Sequence, residues 1–239
     1  MGNHSEHLGI VVAMIAEARS FTRKTIKTGW KIELKEGVAI QLSGIGPQRA
    51  ERAASNLLNH GATALLSWGI AGGLMPGLAS GSLILPKMVI GRDHASYSTD
   101  PGWHERLARR IGGWVDLYTG PLIESAGVVK SLPEKRSLFE RTGAIAVDME
   151  SCAVARTAHE ARIPFMTIRA VADSSDMSLP QVLSMADEFG RIRLLKLIIE
   201  IAKNPLELFP TLQLGRGFRA AQTTLKKVVR SAGCDLLVS

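Results

Sequence analysis

Three stretches of this chain, Leu8 to Met14, Ala62 to Trp68 and Phe165 to Val171, are short and apolar almost throughout. A strand with one face in water alternates apolar and polar residues, whereas a near-continuous apolar strand is covered on both faces. Segments with helical signals separate these runs. Pro47 suits the first position of a helix reaching about His60, with Gly61 as its stop. Trp103 to Ile111 ends at Gly112-Gly113, Pro133 opens a further helix, and Met149 to Arg162 and Leu179 to Lys203 complete the set. Trp30 to Leu34 and Val38 to Leu42 form a hairpin pattern, and Ser82 to Ile90, Val115 to Tyr118, Leu122 to Val129 and Ala144 to Val147 are extended. Strands that alternate with helices, and are buried on both sides, require an α/β sheet with helices on its faces.

At 239 residues, 46% apolar and 21% charged, the chain suits one large domain. It divides into a domain over residues 1–203 and a basic amphipathic tail over residues 204–239. In the tail Phe218, Ala221, Leu225, Val228 and Val229 recur at helical spacing, while Arg219, Lys226, Lys227 and Arg230 lie largely off that stripe. Such a helix packs on its own domain or on a partner subunit, or lies in a membrane interface. The net charge of +7 raises the question of nucleic acid, but 5% aromatics and the lack of a recognition motif argue against it. Two cysteines build no disulfide framework and fit a reducing, cytoplasmic setting. The opening MGNHSEHLGIVVAM reads as a first strand rather than a signal peptide, and no apolar stretch reaches the roughly 20 residues of a membrane span. His94 and His104 are isolated, so no metal is expected. GIAGG (Gly69 to Gly73) is neither a dinucleotide nor a P-loop fingerprint, so no cofactor is expected either.

Ligands of open α/β sheets gather at the carboxyl ends of strands, and acids collect there in this sequence. Glu17 follows the first strand, GIAGG follows Trp68, Asp148 and Glu150 follow Val147, and Asp173 follows Val171. A carboxylate in such a place is costly unless paired or used. Each has a structural reading. GIAGG is a turn, Asp148 a helix cap, Glu150 a first-turn acid, Glu17 an exposed helix acid, and Asp173 part of a capping cluster with Ser174, Ser175 and Asp176. The chemical readings are a grip on a vicinal diol for Glu150 and general acid for Asp173.

AMIAE, SGIG, GIAGG, VDMES and IRAVADSSD occur in this order between Leu8 and Lys203. Together they resemble the nucleoside phosphorylase and nucleosidase superfamily, nearest to the 5'-methylthioadenosine/S-adenosylhomocysteine nucleosidases and the hopanoid-associated nucleosidases. The resemblance implies a three-layer α/β/α sandwich with a mixed central sheet, usually a homodimer, that cleaves a purine N-glycosidic bond. It implies that Asp173 protonates the purine at N7, that Glu17 positions and activates water, that Glu150 holds the ribose hydroxyls and that Met149 packs on the sugar. Ile70, Ala71 and Gly72 would line the substrate, Val128 stands where an aromatic stacks on adenine, and Val129 would offer backbone contacts to the base.

Phosphorylase branches carry an Arg two residues before the first Gly of GIAGG and a Ser or Thr just after it; here these are Ser67 and Ile70. That favours hydrolysis, although Arg19, Arg23 and Arg49 leave phosphorolysis open. Ala172 stands where the family has a Ser that orients the catalytic Asp, and Asp148 where Glu is common. Those departures, with Val128, also leave open a binding protein without activity. They point away from methylthioadenosine and toward another 5' substituent. The hopanoid-associated relatives imply adenosylhopane, with the tail as an anchor at the membrane face.

Overall fold

A computed structural model describes residues 7–24, 31–35, 37–180, 187 and 204–236. The first half contains β1 (Leu8–Val12), α1 (Ile15–Ala18), β2 (Lys31–Lys35), β3 (Val38–Leu42), α2 (Pro47–Asn59), β4 (Ala64–Gly73), β5 (Leu83–Ile84), β6 (Met88–Ile90), β7 (Ser96–Ser98) and α3 (Pro101–Ile111). There follow β8 (Leu117–Tyr118), β9 (Leu122–Glu124), α4 (Leu132–Thr142), β10 (Ala146–Asp148), α5 (Ser151–Glu160), β11 (Phe165–Asp173) and α6 (Leu208–Ala232). Of the helix expected over Leu179 to Lys203, residues 181–186 and 188–203 lie outside the described residues.

The sheet is mixed, in the order β2-β3-β1-β4-β10-β9-β6-β7, with β11 on the other edge of β4 and β5 and β8 beyond it. β1, β3, β4 and β11 run parallel, and β10 meets β4 antiparallel. Neighbouring strand residues go to opposite layers, as the period of two demands. Ile10, Leu66 and Ile168 pack under Trp103 and Leu107 of α3 and Leu225 and Val228 of α6. Val11 and Leu65 pack under Ala50, Ala54 and Leu57 of α2 and Val154 and Ala158 of α5. Two apolar layers on one sheet are the α/β/α sandwich expected from the continuous apolar strands.

The apolar stripe of the tail is part of this core. Ala221, Leu225 and Val228 are 0% exposed, so the face a membrane-lying helix would bury in lipid is buried in protein. Where Gly217 of α6 crosses β11, a Cβ would come within 2.0 Å of the Ala172 carbonyl oxygen, a contact that only glycine permits. Two other expectations change. The stretch from Ser82 to Ile90 is two strands, because Pro86 between them has no N–H to give a ladder. GIAGG is not a turn: it is the distal half of β4, the longest strand, and glycine is needed there for close approach rather than for reversal.

Candidate active site

β4 is the axis of the site. β1 pairs with it as far as Trp68, and β10 takes over the same edge at Gly72. In the gap between them the Glu17 carboxylate replaces a strand: its Oε1 accepts the Ile70 N–H at 3.0 Å, and its Oε2 accepts the N–H groups of Ala13 (3.0 Å) and Met14 (2.9 Å). A Cβ at Gly69 would stand 2.5 Å from Glu17 Oε1, so the glycine makes room for the acid. Glu17 is therefore buried, not an exposed helix acid, and burial pushes its carboxyl up against the opposing pull of Arg169.

Asp173 is the last residue of β11 and pairs with Gly72. A Cβ at Gly72 would come 3.3 Å from Asp173 Oδ2. Glu17 and Asp173 thus flank Gly69 and Gly72, three residues or about 10 Å apart along the strand. Burial raises the Asp173 carboxyl above its ordinary range, and Lys135 opposes that shift.

Glu150 enters from the third direction. It precedes α5 and accepts the Gly46 N–H at 2.8 Å. Its side chain is turned away from its own helix and across to the SGIG loop, so the first-turn reading does not describe it. Burial, then the neighbouring Asp148, raises its carboxyl to about 8, and Arg169 again opposes the shift.

Asp148 does cap α5, accepting the Ser151 N–H at 3.2 Å. It also does more: the Arg169 Nε and Nη2 both lie 2.8 Å from its Oδ2. Arg169 Nη2 donates to the Ser67 hydroxyl at 2.7 Å, and the Ser151 hydroxyl, which donates to Asp148, is 2.9 Å from that of Thr167. Arg169 is 2% exposed and is the cation shared by Asp148, Glu17 and Glu150. Sequence reasoning missed it, although an Arg inside an otherwise apolar strand was a visible signal. Ser67 is spent on this network.

Other expected residues fall nearby. Met149 is half-buried between the two acids at positions 148 and 150, and Ile70 is half-buried on β4. Ala71 points its methyl into an apolar cluster with Leu78 and Ile84. Val129 packs partly on Leu74 and Ile123, and Val128 is 48% exposed. Two further buried ionic groups were not foreseen. Glu124, at the end of β9, accepts the Ala153 N–H of α5 at 3.0 Å, and burial raises its carboxyl to about 7. Lys135 of α4 is 1% exposed and lies 2.6 Å from Asp173 Oδ2. Among the described residues no three His, Cys, Asp or Glu side chains gather as a metal site.

Chemically, the arrangement offers a buried carboxyl, raised by its burial, at one end of the glycine segment of β4. A second carboxyl, held by backbone donors, stands at the other end, with a third beside it and a cation behind. The sequence profile of the phosphorylase superfamily matches residues 2–192. A 5'-methylthioadenosine/S-adenosylhomocysteine nucleosidase of Baumannia cicadellinicola is 30% identical over 175 residues, 64% of this chain and 75% of that protein. The fold resembles the nucleosidase of that name from Neisseria meningitidis, solved with methylthio-immucillin-A, at a TM-score of 0.71 and 21% identity over 95% of this chain and 97% of that one. It resembles futalosine hydrolase of Helicobacter pylori at a TM-score of 0.72 and 16% identity, over 96% and 98%.

Proposed function

The chain belongs to the phosphorylase superfamily, and from that footing we propose that it hydrolyses the N-glycosidic bond of an adenine nucleoside. The observation that supports this reading is the seating of two buried carboxyls on β4, Glu17 against Gly69 and the Ile70 N–H and Asp173 against Gly72, with Glu150 near enough to Glu17 for their charges to interact. Adenine is a poor leaving anion, and the ribose carbon becomes cationic as the bond breaks. A donor must protonate the base while anionic groups steady the sugar, the division of labour that two differently placed carboxyls provide in glycoside cleavage. Asp173, raised by burial, gives its proton to N7 of the purine. Glu150 accepts hydrogen bonds from the ribose hydroxyls, with Met149 against the sugar. Glu17, its carboxylate fixed by three backbone donors, orients the attacking water and takes up the proton that the water loses as it bonds to the ribose carbon. Gly72, without a side chain, lets the nucleoside lie close to β4.

Water is favoured over phosphate. An incoming anion would meet Glu17 and Glu150, while Arg169 and Ser67 are already committed to Asp148 and to one another. The test is adenine release from adenosine and 5'-methylthioadenosine, with and without phosphate. Turnover that requires phosphate overturns hydrolysis, and adenine binding without turnover makes the protein a binder.

For the 5' substituent, Val128 puts an exposed aliphatic side chain where the resemblance places a stacking aromatic, which suits a bulky apolar group. Leu206, Leu208, Phe209 and Leu212 are exposed. The last three stand about 8–14 Å along the helix axis before Gly217, which lies against Ala172 next to Asp173. This apolar end of α6 supports a lipid-linked adenosyl substrate, adenosylhopane by the family resemblance, presented at a membrane face. Preferential adenine release from such a lipid in liposomes, with co-sedimentation of the protein, supports this reading; cleavage of soluble nucleosides alone rejects it. The homodimer implied by the resemblance is tested by sedimentation velocity.

A further inference from the structure

Of the residues of α4, the buried one is a lysine. A buried ammonium is costly unless paired and hydrogen-bonded, and Lys135 is fully satisfied. Its Nζ donates to Asp173 Oδ2 at 2.6 Å, to the Ser174 carbonyl at 2.6 Å and to the Met177 carbonyl at 2.9 Å. Three donors meet three acceptors, all on the turn that leaves β11. The placement is deliberate at the level of sequence: Ser131 and Glu134 cap the start of α4, and Leu138 and Phe139 pack its inner face, which fixes Lys135 one turn earlier on that same face.

Ala172, by contrast, gives Asp173 no hydroxyl. Its methyl lies in the core, and its carbonyl accepts the Ser80 hydroxyl. β4 presents Gly72 to the Asp173 carboxyl, with Val147 of β10 beside it. On the following turn Asp176 accepts the hydroxyl of Ser174. Among the described residues, the charged side chain that acts on the Asp173 carboxyl is Lys135.

Resting on the reading of Asp173 as proton donor, we infer that Lys135 is its positioning residue. The ammonium holds Oδ2, so that Oδ1 carries the proton toward the purine, and it stabilises the carboxylate left behind. No bond to Lys135 forms or breaks. The proton passes from Asp173 to the purine nitrogen, and the fixed cation faces the anion that results. Burial favours the neutral form of Asp173, and Lys135 favours the carboxylate that remains once the proton has gone.

The two effects give Lys135→Met opposite signatures in rate and in pH dependence. Full-length wild type, Lys135→Met, Lys135→Arg and Asp173→Asn are compared, with thermal melts to establish folding. The pH dependence of kcat is measured on whichever of adenosine and 5'-methylthioadenosine the wild type cleaves. The carboxyl 13C resonance of Asp173, assigned through Asp173→Asn, is titrated in the free protein. Lys135→Met is expected to lose about tenfold or more in kcat with little change in KM. Its alkaline limb and its Asp173 titration should move to higher pH by about one unit or more. Lys135→Arg, which keeps the charge, holds the limb in place and recovers most of kcat. Equal losses in both variants with an unmoved limb and titration, or wild-type kcat in Lys135→Met, overturn the assignment. If Asp173→Asn retains wild-type turnover, the donor reading fails instead, and the titration still decides whether Lys135 governs the Asp173 carboxyl.

Discussion

Gly69 and Glu17 compete for the same space: a Cβ on residue 69 would stand 2.5 Å from Glu17 Oε1 and 2.9 Å from its Cδ. The absence of a side chain on β4 and the presence of the carboxylate are one feature. Gly69→Ala should therefore displace Glu17 from the Ile70 N–H, costing about 1–3 kcal/mol of stability and most of the activity. In Gly69→Ala/Glu17→Ala the steric conflict is gone, so the double variant should be more stable than the Gly69→Ala single. Urea denaturation of the four proteins in this cycle measures the coupling.

Asp173→Asn keeps the shape of the side chain and removes the proton that the purine needs. Turnover should fall by about 10² or more with the fold intact. Adenine release by single-turnover kinetics, beside a thermal melt, distinguishes lost chemistry from lost structure.

Arg169→Met removes the cation shared by three buried carboxyls. Breaking a buried pair from one side typically costs about 3–5 kcal/mol. The loss should shrink at acid pH, because the stranded carboxyls of the folded variant can then take up protons instead of standing as unpaired buried anions. Denaturant midpoints at pH 5 and pH 8 check this, with the larger loss expected at pH 8.

Glu124 gives a pH dependence of known sign. Its carboxyl titrates at about 7 in the fold against an ordinary value of 4.5. Between those values the folded protein binds more protons than the unfolded chain, so stability falls as pH rises through this window and then levels off. Glu124→Gln keeps an acceptor for the Ala153 N–H and removes the titration. The Tm of the variant relative to wild type should therefore be higher at pH 8 than at pH 4.5. A difference that stays flat over this range would show that Glu124 is not raised.

Strand periodicity made the layers and the rim of acids legible before any coordinates. Ile10 and Val11 pack on opposite faces because the strand has to serve two layers, and Glu17, Glu150 and Asp173 are each buried at or just beyond a strand end, where their places in the sequence put them. The supporting ions were harder to read. Lys135 and Asp173 are 38 residues apart, and Arg169 and Ser67 are 102 apart; spacing along a chain carries no information about such pairs. Lys135 did leave a trace, since it lies three and four residues before Leu138 and Phe139 on what must be the inner face of α4. The tail showed its stripe plainly, but a stripe specifies an apolar partner without saying whether that partner is lipid or protein. GIAGG read as a turn because glycine serves both reversal and close approach, and only the position of Glu17 separates the two.

The sheet layer that α6 closes also bears on biosynthesis. Val228 shares a core with Ile10, which was translated more than two hundred residues earlier. Until α6 leaves the ribosome, the face of β1, β4 and β11 that it shares with α3 is only partly covered, and such long-range closure is slow and exposes apolar surface while it waits. A nascent chain stalled before residue 208 should accordingly be held by chaperones, whereas one released after residue 232 can shut its core.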